Sequence, residues 1–248
     1  MIKLYSYRFF FFLFLVCQLM TNGCSKPEKT YRIGVDPEWF PLKLEGKALN
    51  LFVFSNELLH LIGEKEHIHF KRVNMSWDDL VLGLEDKKYE GVLSSLPLYL
   101  FNTAKYDFSD AYLSTGPVLL LRIGDQLSTM RDLKGKVIGV DSTANETIQT
   151  TLYPDASVRF FPSAPLALDA LVSGSIDAVL LDVILARSYI EDLYAKKLHI
   201  VSSPLNDAGI RLVTLKGEHR QLIKAFNQGL SALSDRGIYK ELLTKWEL

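Results

Sequence analysis

Residues Gly174 to Leu193, GSIDAVLLDVILARSYIEDL, hold the pattern that decides the fold. The stretch from Ile176 to Leu181 is almost continuously apolar and ends at Asp182, as expected of a buried strand. A helical pattern follows from Val183 to Leu193. Another helical pattern, Ala164 to Ser173, precedes the strand and is closed by a glycine, the residue that most readily ends a helix. This helix-turn-strand-helix order predicts parallel β-α-β construction.

The same alternation of strand and helix patterns extends along the rest of the chain, so the predicted class is α/β. Helices are predicted over Leu51 to Ile62, closed by Gly63, after an N-cap at Ser76, and twice after the last strand. The predicted strands, recognised by short apolar or alternating runs, are Tyr31 to Val35, His67 to Val73, Gly91 to Leu96, Pro117 to Arg122, Lys136 to Val140, Ser157 to Phe161, Leu198 to Val201 and Gly209 to Val213.

Composition excludes several function classes. The 248 residues carry a formal net charge of −1, so there is no basic surplus to neutralise a nucleic-acid backbone, and no nucleic-acid partner is predicted. The two cysteines, Cys17 and Cys24, both lie near the N-terminus. The folded body is therefore predicted to be held together by its hydrophobic core, without a disulfide. His67 and His69 lack a third ligand nearby, and neither a metal nor a cofactor is predicted.

The N-terminal segment has the layout of a bacterial export signal. Lys3 and Arg8 precede an apolar run from Phe9 to Met20, too short for the roughly 20 residues that a membrane-spanning helix needs. Cys24 then resembles the cysteine at which bacterial lipoproteins are cleaved and acylated, although Thr21 departs from that pattern. We predict a signal peptide over 1–24, lipidation of Cys24, a tether over 25–30 and an extracytoplasmic location. The alternative is ordinary cleavage before residue 25.

The chain also resembles the extracellular amino-acid-binding proteins of ABC importers, the smaller two-lobed periplasmic type. The segments that carry the resemblance follow one another in the family's order. They are Tyr31 to Asp36, Trp77 to Leu80 with Gly83, Leu84 and Tyr89, Tyr106 to Tyr112, Leu133 to Val140, Ala170 to Asp182, and Gly237 to Trp246.

This resemblance implies a periplasmic-binding-protein-like fold with two α/β lobes joined by two hinge strands. Lobe one would comprise residues 30–119 and 208–248, and lobe two residues 124–202. The ligand would bind in the cleft between the lobes, at the carboxyl ends of strands. Closure about the hinge would trap the ligand and create the form that an importer recognises.

By the same resemblance, Trp39 and Trp77 would place two flat rings around the ligand, and hydroxyls at Ser94 and Ser95 would hold its head group. Asp182 would accept the ligand's α-ammonium in a charge-assisted hydrogen bond. Each residue type also has a structural explanation. The tryptophans would fit a core, the serines a strand end that bonds locally, and Asp182 the N-cap of the next helix.

Two more residues are candidates. Thr143, with its neighbour Ser142, precedes a helix whose N-terminal amides suit a carboxylate, and the same residues would serve as a helix cap within Thr143 to Glu146. Asp36 ends the first strand, where it would reach the cleft or form the turn before Pro37.

Three positions depart from the family pattern. Asn102 stands where the family has an arginine that grips the ligand's carboxylate, and an amide has neither the charge nor the fork of a guanidinium. Pro97 replaces a ligand-binding Ser or Thr, and Phe52 an acidic residue. These changes favour a more apolar ligand, or one without a free carboxylate. The sequence leaves open whether one of three other cations compensates, namely Arg72, Arg122 or Arg211.

The main functional hypothesis is therefore a monomeric, lipid-anchored receptor that passes a small polar solute, an amino acid or a related compound, to an inner-membrane ABC permease. One alternative is a dehydratase-like enzyme for small carboxylates on the same scaffold, with Glu38, Asp36 and Asp182 as candidate acids or bases. The other is a sensor or scaffold lipoprotein whose cleft has degenerated.

Overall fold

The computed structural model describes residues 29–125, 133–141 and 155–248. These residues form two mixed β-sheets, each packed against helices, as expected for the predicted α/β class. The predicted signal peptide with Cys24, most of the tether, and Ser142 with Thr143 lie outside the described residues. Within the described ranges, no helix combines the length and the apolar content that crossing a membrane requires.

Among the described residues, the first sheet has six strands in the order β2-β1-β3-β11-β4, with β5 paired to β11. Its members come from the two ends of the described chain: β1 (Lys29–Val35), β2 (Ile68–Asn74), β3 (Gly91–Ser94), β4 (Tyr106–Phe108), β5 (Leu113–Ser114) and β11 (Gly209–Leu215).

The described part of the second sheet has five strands in the order β10-β6-β9-β7-β8. Its members come from the middle of the chain: β6 (Pro117–Arg122), β7 (Val137–Asp141), β8 (Ser157–Phe161), β9 (Ala178–Asp182) and β10 (Leu198–Ile200).

The described helices, numbered along the chain, are α1 (Ala48–Glu66), α2 (Trp77–Glu85), α3 (Leu100–Lys105), α4 (Ala164–Val172), α5 (Val183–Tyr189), α6 (Arg220–Asp235) and α7 (Ile238–Lys245). A π-helical turn, Ile190–Tyr194, continues α5. The pattern beginning at Gly174 thus gives a strand and a helix where they are predicted.

Strand direction differs from the sequence prediction in one respect. β1 pairs in parallel with β2 and β3, and β7 pairs in parallel with β8 and β9, as β-α-β units require. β6 and β11, however, run antiparallel to their partners. Each of these two strands follows a connection from the other sheet and enters its new sheet against the direction of the neighbours.

Within the residues that the structure describes, the chain passes between the sheets twice, close to the carboxyl end of β9. The amide of Val183 donates to the carbonyl of Gly116 at 3.1 Å, and the amide of Leu205 donates to the carbonyl of Pro117 at 2.9 Å. The change of sheet therefore falls between β5 and β6, a few residues before the predicted end of lobe one at 119. The second crossing lies between β10 and β11.

Gly63 differs from its predicted role as a helix cap. α1 continues through it to Glu66, and His67 ends the helix in a left-handed conformation with φ 53°. Gly63 is instead buried where β2 begins, and a Cβ there would lie 2.7 Å from the carbonyl oxygen of Ile68. Close approach of helix and strand, and not the end of the helix, requires the glycine.

Candidate functional site

Two carboxylates lie at the same edge of the second sheet. β7 and β9 are parallel neighbours, with Val140 opposite Leu180, so their carboxyl ends meet. Asp141 ends β7 and Asp182 ends β9. Carboxyl ends of parallel strands are where open α/β sheets bind ligands.

Asp182 occupies the N-cap position of α5, but its side chain makes no capping hydrogen bond. The residue keeps access to solvent, while the surrounding protein removes much of the carboxyl's hydration. This burial, with repulsion from Asp141, raises the pKa of Asp182 to about 6, against a smaller opposing effect of Lys43. A cation placed beside Asp182 would stabilise the charged form of its carboxyl group.

The loop after β1 brings groups from the first half of the molecule to this acidic edge. Lys43 lies near enough to favour the charged form of Asp182. Two residues further along the same loop, Glu45 accepts a hydrogen bond from the hydroxyl of Tyr189, which is on α5. Burial and the Glu45 carboxylate raise the pKa of the Tyr189 phenol above its ordinary value. The two halves therefore meet around the acidic pair.

Asp36 shapes the start of that loop. Its carboxylate accepts hydrogen bonds from the amides of Glu38 at 3.0 Å and Phe40 at 3.1 Å, and its carbonyl accepts one from the amide of Trp39. The residue is buried. This geometry fits the turn-forming interpretation of Asp36, and a direct ligand contact stays a prediction.

The ring beside Trp77 in the structure is not the one that the family resemblance implies. Trp39 is only 3% exposed, packs in the core and has a buried Nε1 with no hydrogen-bond partner among the described residues. Phe40, 59% exposed, lies beside Trp77 with ring centroids 5.9 Å apart. The accessible aromatic pair is thus Phe40 and Trp77, because Trp39 is buried and the next residue, Phe40, is exposed.

The two serines at the end of β3 differ in their surroundings. Ser94 is buried, and its hydroxyl accepts a hydrogen bond from the amide of Leu96 at 3.1 Å. This is the local strand-end bond of the structural interpretation. Ser95 is partly exposed and lines a pocket between the segment after β3 and the connection to β11. A head-group role for these serines stays a prediction.

Asn102, in α3, is buried, and its amide donates to the carbonyl of Pro97 at 2.8 Å. The side chain thus braces the segment that precedes α3. Pro97 itself is exposed. The contact with Pro97 gives Asn102 a structural role that the residue pattern does not reveal, and a ligand contact of Asn102 stays a prediction.

We expect Asn102→Arg to lower stability without raising affinity for an α-amino acid. The change removes the brace to Pro97 and forces a guanidinium into a buried position, at a cost of about 1–3 kcal/mol. Thermal unfolding and calorimetry would measure the two effects. Ala104→Arg is the control, since it adds the same charge at an exposed position of α3. A clear gain in affinity with Asn102→Arg would contradict this expectation.

The three cations left open by the sequence have different environments. Arg72 is exposed and lies 4.4 Å from the ring centre of Phe52. Arg122 donates to two backbone carbonyls and pairs with Asp125 at 2.8 Å. Arg211 is buried and lines the same pocket as Ser95.

Sequence reasoning missed one member of the acidic pair, three residues near it, and the accessible ring beside Trp77, namely Asp141, then Lys43, Glu45 and Tyr189, and finally Phe40. Asp141 follows a predicted strand, as Asp182 does, and this position could have identified it as a candidate from the sequence. The other four lie on a loop or within a helix, where sequence spacing does not specify which partner a side chain meets. Thr143 and Cys24 lie outside the described residues.

In the part of the chain that the structure describes, two mixed β-sheets packed against helices, two crossings between the sheets and polar strand ends near these crossings are features of the two-lobed solute-binding proteins. The chain belongs to the bacterial extracellular solute-binding proteins, family 3, whose pattern matches residues 31–248.

Among its relatives is the L-arginine-binding protein of Pseudomonas aeruginosa, strain PAO1, 28% identical over 242 residues that cover 93% of this chain and 92% of that protein. The L-cystine-binding protein TcyJ of Escherichia coli K12 is 25% identical and covers 89% of this chain and 84% of its own length. A solved structure with the same fold is the L-cystine solute receptor of Neisseria gonorrhoeae in its unliganded open conformation. Its TM-score is 0.70 at 20% identity, with 88% of this chain and 92% of that chain covered.

Proposed function

We propose that this protein is the substrate-binding component of an ABC importer and that it binds a small cationic solute, an amino acid or a related amine. The observation that carries the proposal is the acidic edge formed by Asp141 and Asp182. Repulsion between the two groups and partial burial disfavour charge on Asp182, and a bound ammonium would relieve both effects. A relative named for L-arginine binding supports this class of ligand.

The ligand would lie between two lobes, one built on the first sheet, with residues 30–116 and 208–248, and the other built on the second sheet, with residues 117–202. Asp182 would accept its ammonium group, and Phe40 and Trp77 would provide accessible aromatic surface. Rings of this kind contact an apolar chain or a cation favourably. Closure would bring the loop that carries Lys43 and Glu45 over the ligand, and the contact between Glu45 and Tyr189 would help to hold the closed form.

We further propose an export signal and a lipid anchor in the N-terminal segment, most of which lies outside the described residues. Residues 1–24 would direct export, and Cys24 would carry the lipid that anchors the protein to a membrane, with 25–30 as its tether. The folded body would act as a monomer and deliver its ligand to an inner-membrane permease.

We favour binding without chemical turnover. Both relatives described above are named as binding proteins. Of the three candidate acids, Asp182 is assigned to the ligand's ammonium, the Asp36 carboxylate accepts hydrogen bonds from two backbone amides, and Glu38 is exposed on the turn. Neither of the last two arrangements resembles a positioned general acid or base in a shielded site.

Isothermal calorimetry tests this function directly. The purified protein is titrated with L-arginine, L-histidine, L-cystine, agmatine, L-leucine and L-glutamate. We expect saturable binding of at least one cationic compound and none of L-glutamate, because two carboxylates line the site. Recovery of the compound unchanged after prolonged incubation would support a receptor. A preference for L-glutamate would contradict the cationic class, and product formation lost on Glu38→Gln would support the enzyme.

A further inference from the structure

A second pocket lies beside the crossing into β11. It is bounded by the segment after β3 and by the connection between β10 and β11, and its volume is about 390 Å³, which falls within the range of small-molecule sites. Neither Asp141 nor Asp182 lines it. The lining residues are Ser95, Leu96, Pro97, Leu98, Tyr99, Asn206, Asp207, Ala208, Gly209 and Arg211.

Arg211 gives this pocket its chemistry. The side chain is only 8% exposed, yet within the described residues its guanidinium forms no ion pair with a carboxylate. Its hydrogen bonds go to the carbonyls of Asp207 at 2.8 Å and Gly209 at 3.4 Å. A guanidinium has five N–H donors, so several remain for a ligand.

Burial of this cation without an anion is unfavourable. The pKa of Arg211 is accordingly lowered by burial, against weaker opposing effects of Asp207 and Asp110. Those two carboxylates lie too far away to pair with the guanidinium, but their negative charge would repel a multiply charged ligand. A single carboxylate is therefore the best match for the cation.

The rest of the lining is largely apolar. Leu96, Pro97 and Leu98 face the pocket from the segment after β3. The ring centre of Tyr99, which also lines the pocket, lies 5.6 Å from that of Phe101, and these two residues are 53% and 65% exposed. The charge is thus enclosed, and an apolar surface continues from it to the outside.

We propose that this pocket binds a small monocarboxylate with an apolar body, whose carboxylate pairs with Arg211 and whose body lies against Pro97, Leu98 and Tyr99. It is a site additional to the acidic edge. Because the connection between β10 and β11 forms one wall, its occupant contacts the chain where it passes from one sheet to the other.

The test titrates the purified protein with 4-phenylbutyrate and with its neutral amide, 4-phenylbutanamide, followed by calorimetry. We expect saturable binding of the acid and at least tenfold weaker binding of the amide. Arg211→Gln should weaken the acid at least tenfold. Arg220→Gln is the matched control, since it removes one exposed guanidinium and should leave the affinity unchanged. Equal binding of acid and amide, or no binding of the acid, would overturn the proposal.

Two further variants keep the test decisive if Arg211→Gln fails to fold. Leu98 lies at the partly exposed rim, so Leu98→Glu and Leu98→Lys remove the same apolar side chain but add opposite charges. We expect Leu98→Glu to weaken 4-phenylbutyrate at least fivefold relative to Leu98→Lys, and equal affinities would contradict a carboxylate beside Arg211. Asp182→Asn should leave this binding intact. If that variant abolishes it, 4-phenylbutyrate occupies the acidic edge and the second site is refuted.

Discussion

Asp182→Asn is expected to remove most of the affinity for a cationic ligand while the protein stays folded. The substitution keeps the shape of the side chain but removes the charge that would accept the ligand's ammonium. Losing one partner of a desolvated charge pair costs about 2–4 kcal/mol, on the order of 30- to 1,000-fold in Kd. Calorimetry at pH 7.5 with the tightest ligand of the panel measures the loss directly.

The same variant is expected to be more stable than the parent without ligand. The ordinary pKa of an aspartate is 3.8, and in the folded protein that of Asp182 is raised to about 6. Its contribution to stability is therefore fully present below pH 3.8 and is lost as the pH rises through 6. Asparagine avoids that loss. Since the side chain is partly solvated, we expect a gain of only about 1 kcal/mol at pH 7.5.

Ligand binding should depend on pH in the opposite sense. A cation requires the ionised carboxylate, so affinity should fall as the pH is lowered through about 6. Asp182→Asn should lose this dependence.

Asp177→Asn is the matched control. The Asp177 carboxylate accepts a hydrogen bond from the amide of Val137 at 2.8 Å and pairs with Lys136 at 3.2 Å, so asparagine should lower stability and leave affinity unchanged. If both variants changed affinity equally, Asp182 would have no special place in binding.

The fold was largely predictable because its elements are specified locally. The stretch from Ile176 to Asp182 is apolar enough to be recognised as a buried strand from sequence alone, and Gly174 closes α4 with φ 76° as predicted. Strand direction depends instead on the path between the sheets. β6 and β11 are antiparallel to their neighbours because of the way the chain enters each sheet. The residue pattern within a strand does not specify this direction.

The candidate site was less predictable for a comparable reason. Asp182 became a candidate through the family resemblance, and its place at the end of a strand supports that choice, because strand ends meet at an edge that topology determines. Phe40 and Asn102 depend on single hydrogen bonds within irregular segments. Asp36 turns the chain so that Trp39 enters the core and Phe40 does not, and Asn102 is held by the carbonyl of Pro97.

The structural and binding roles of aromatic residues separate in a second pair of variants. Phe54 is completely buried on α1, with its ring centre 6.2 Å from that of Tyr112 and 6.1 Å from that of Tyr239. Tyr239 also donates a hydrogen bond to the carbonyl of Tyr112 at 2.6 Å. This cluster joins α1 and α7 to the segment before β5, so it fastens the C-terminal helix to the first sheet.

We expect Phe54→Ala to lower the free energy of unfolding by about 3–5 kcal/mol, because it leaves a large cavity in a rigid aromatic cluster. For a protein of this size, that corresponds to a fall in Tm on the order of 10 °C. Thermal and urea unfolding without ligand measure the change. The folded fraction should bind the cationic ligand with unchanged affinity, since Phe54 has no access to the acidic edge.

Phe40→Ala is expected to show the reverse. Because the ring is exposed, its loss should change the free energy of unfolding by no more than about 0.5 kcal/mol. Loss of the ring beside Trp77 should, however, weaken ligand binding by about 1 kcal/mol, roughly fivefold in Kd. Trp77→Ala should weaken the same ligand at least as much. If Phe40→Ala left affinity unchanged and Trp39→Ala reduced it without unfolding the protein, the predicted pair of Trp39 and Trp77 would be correct. The ring of Trp39 would then have to leave the core when the ligand binds.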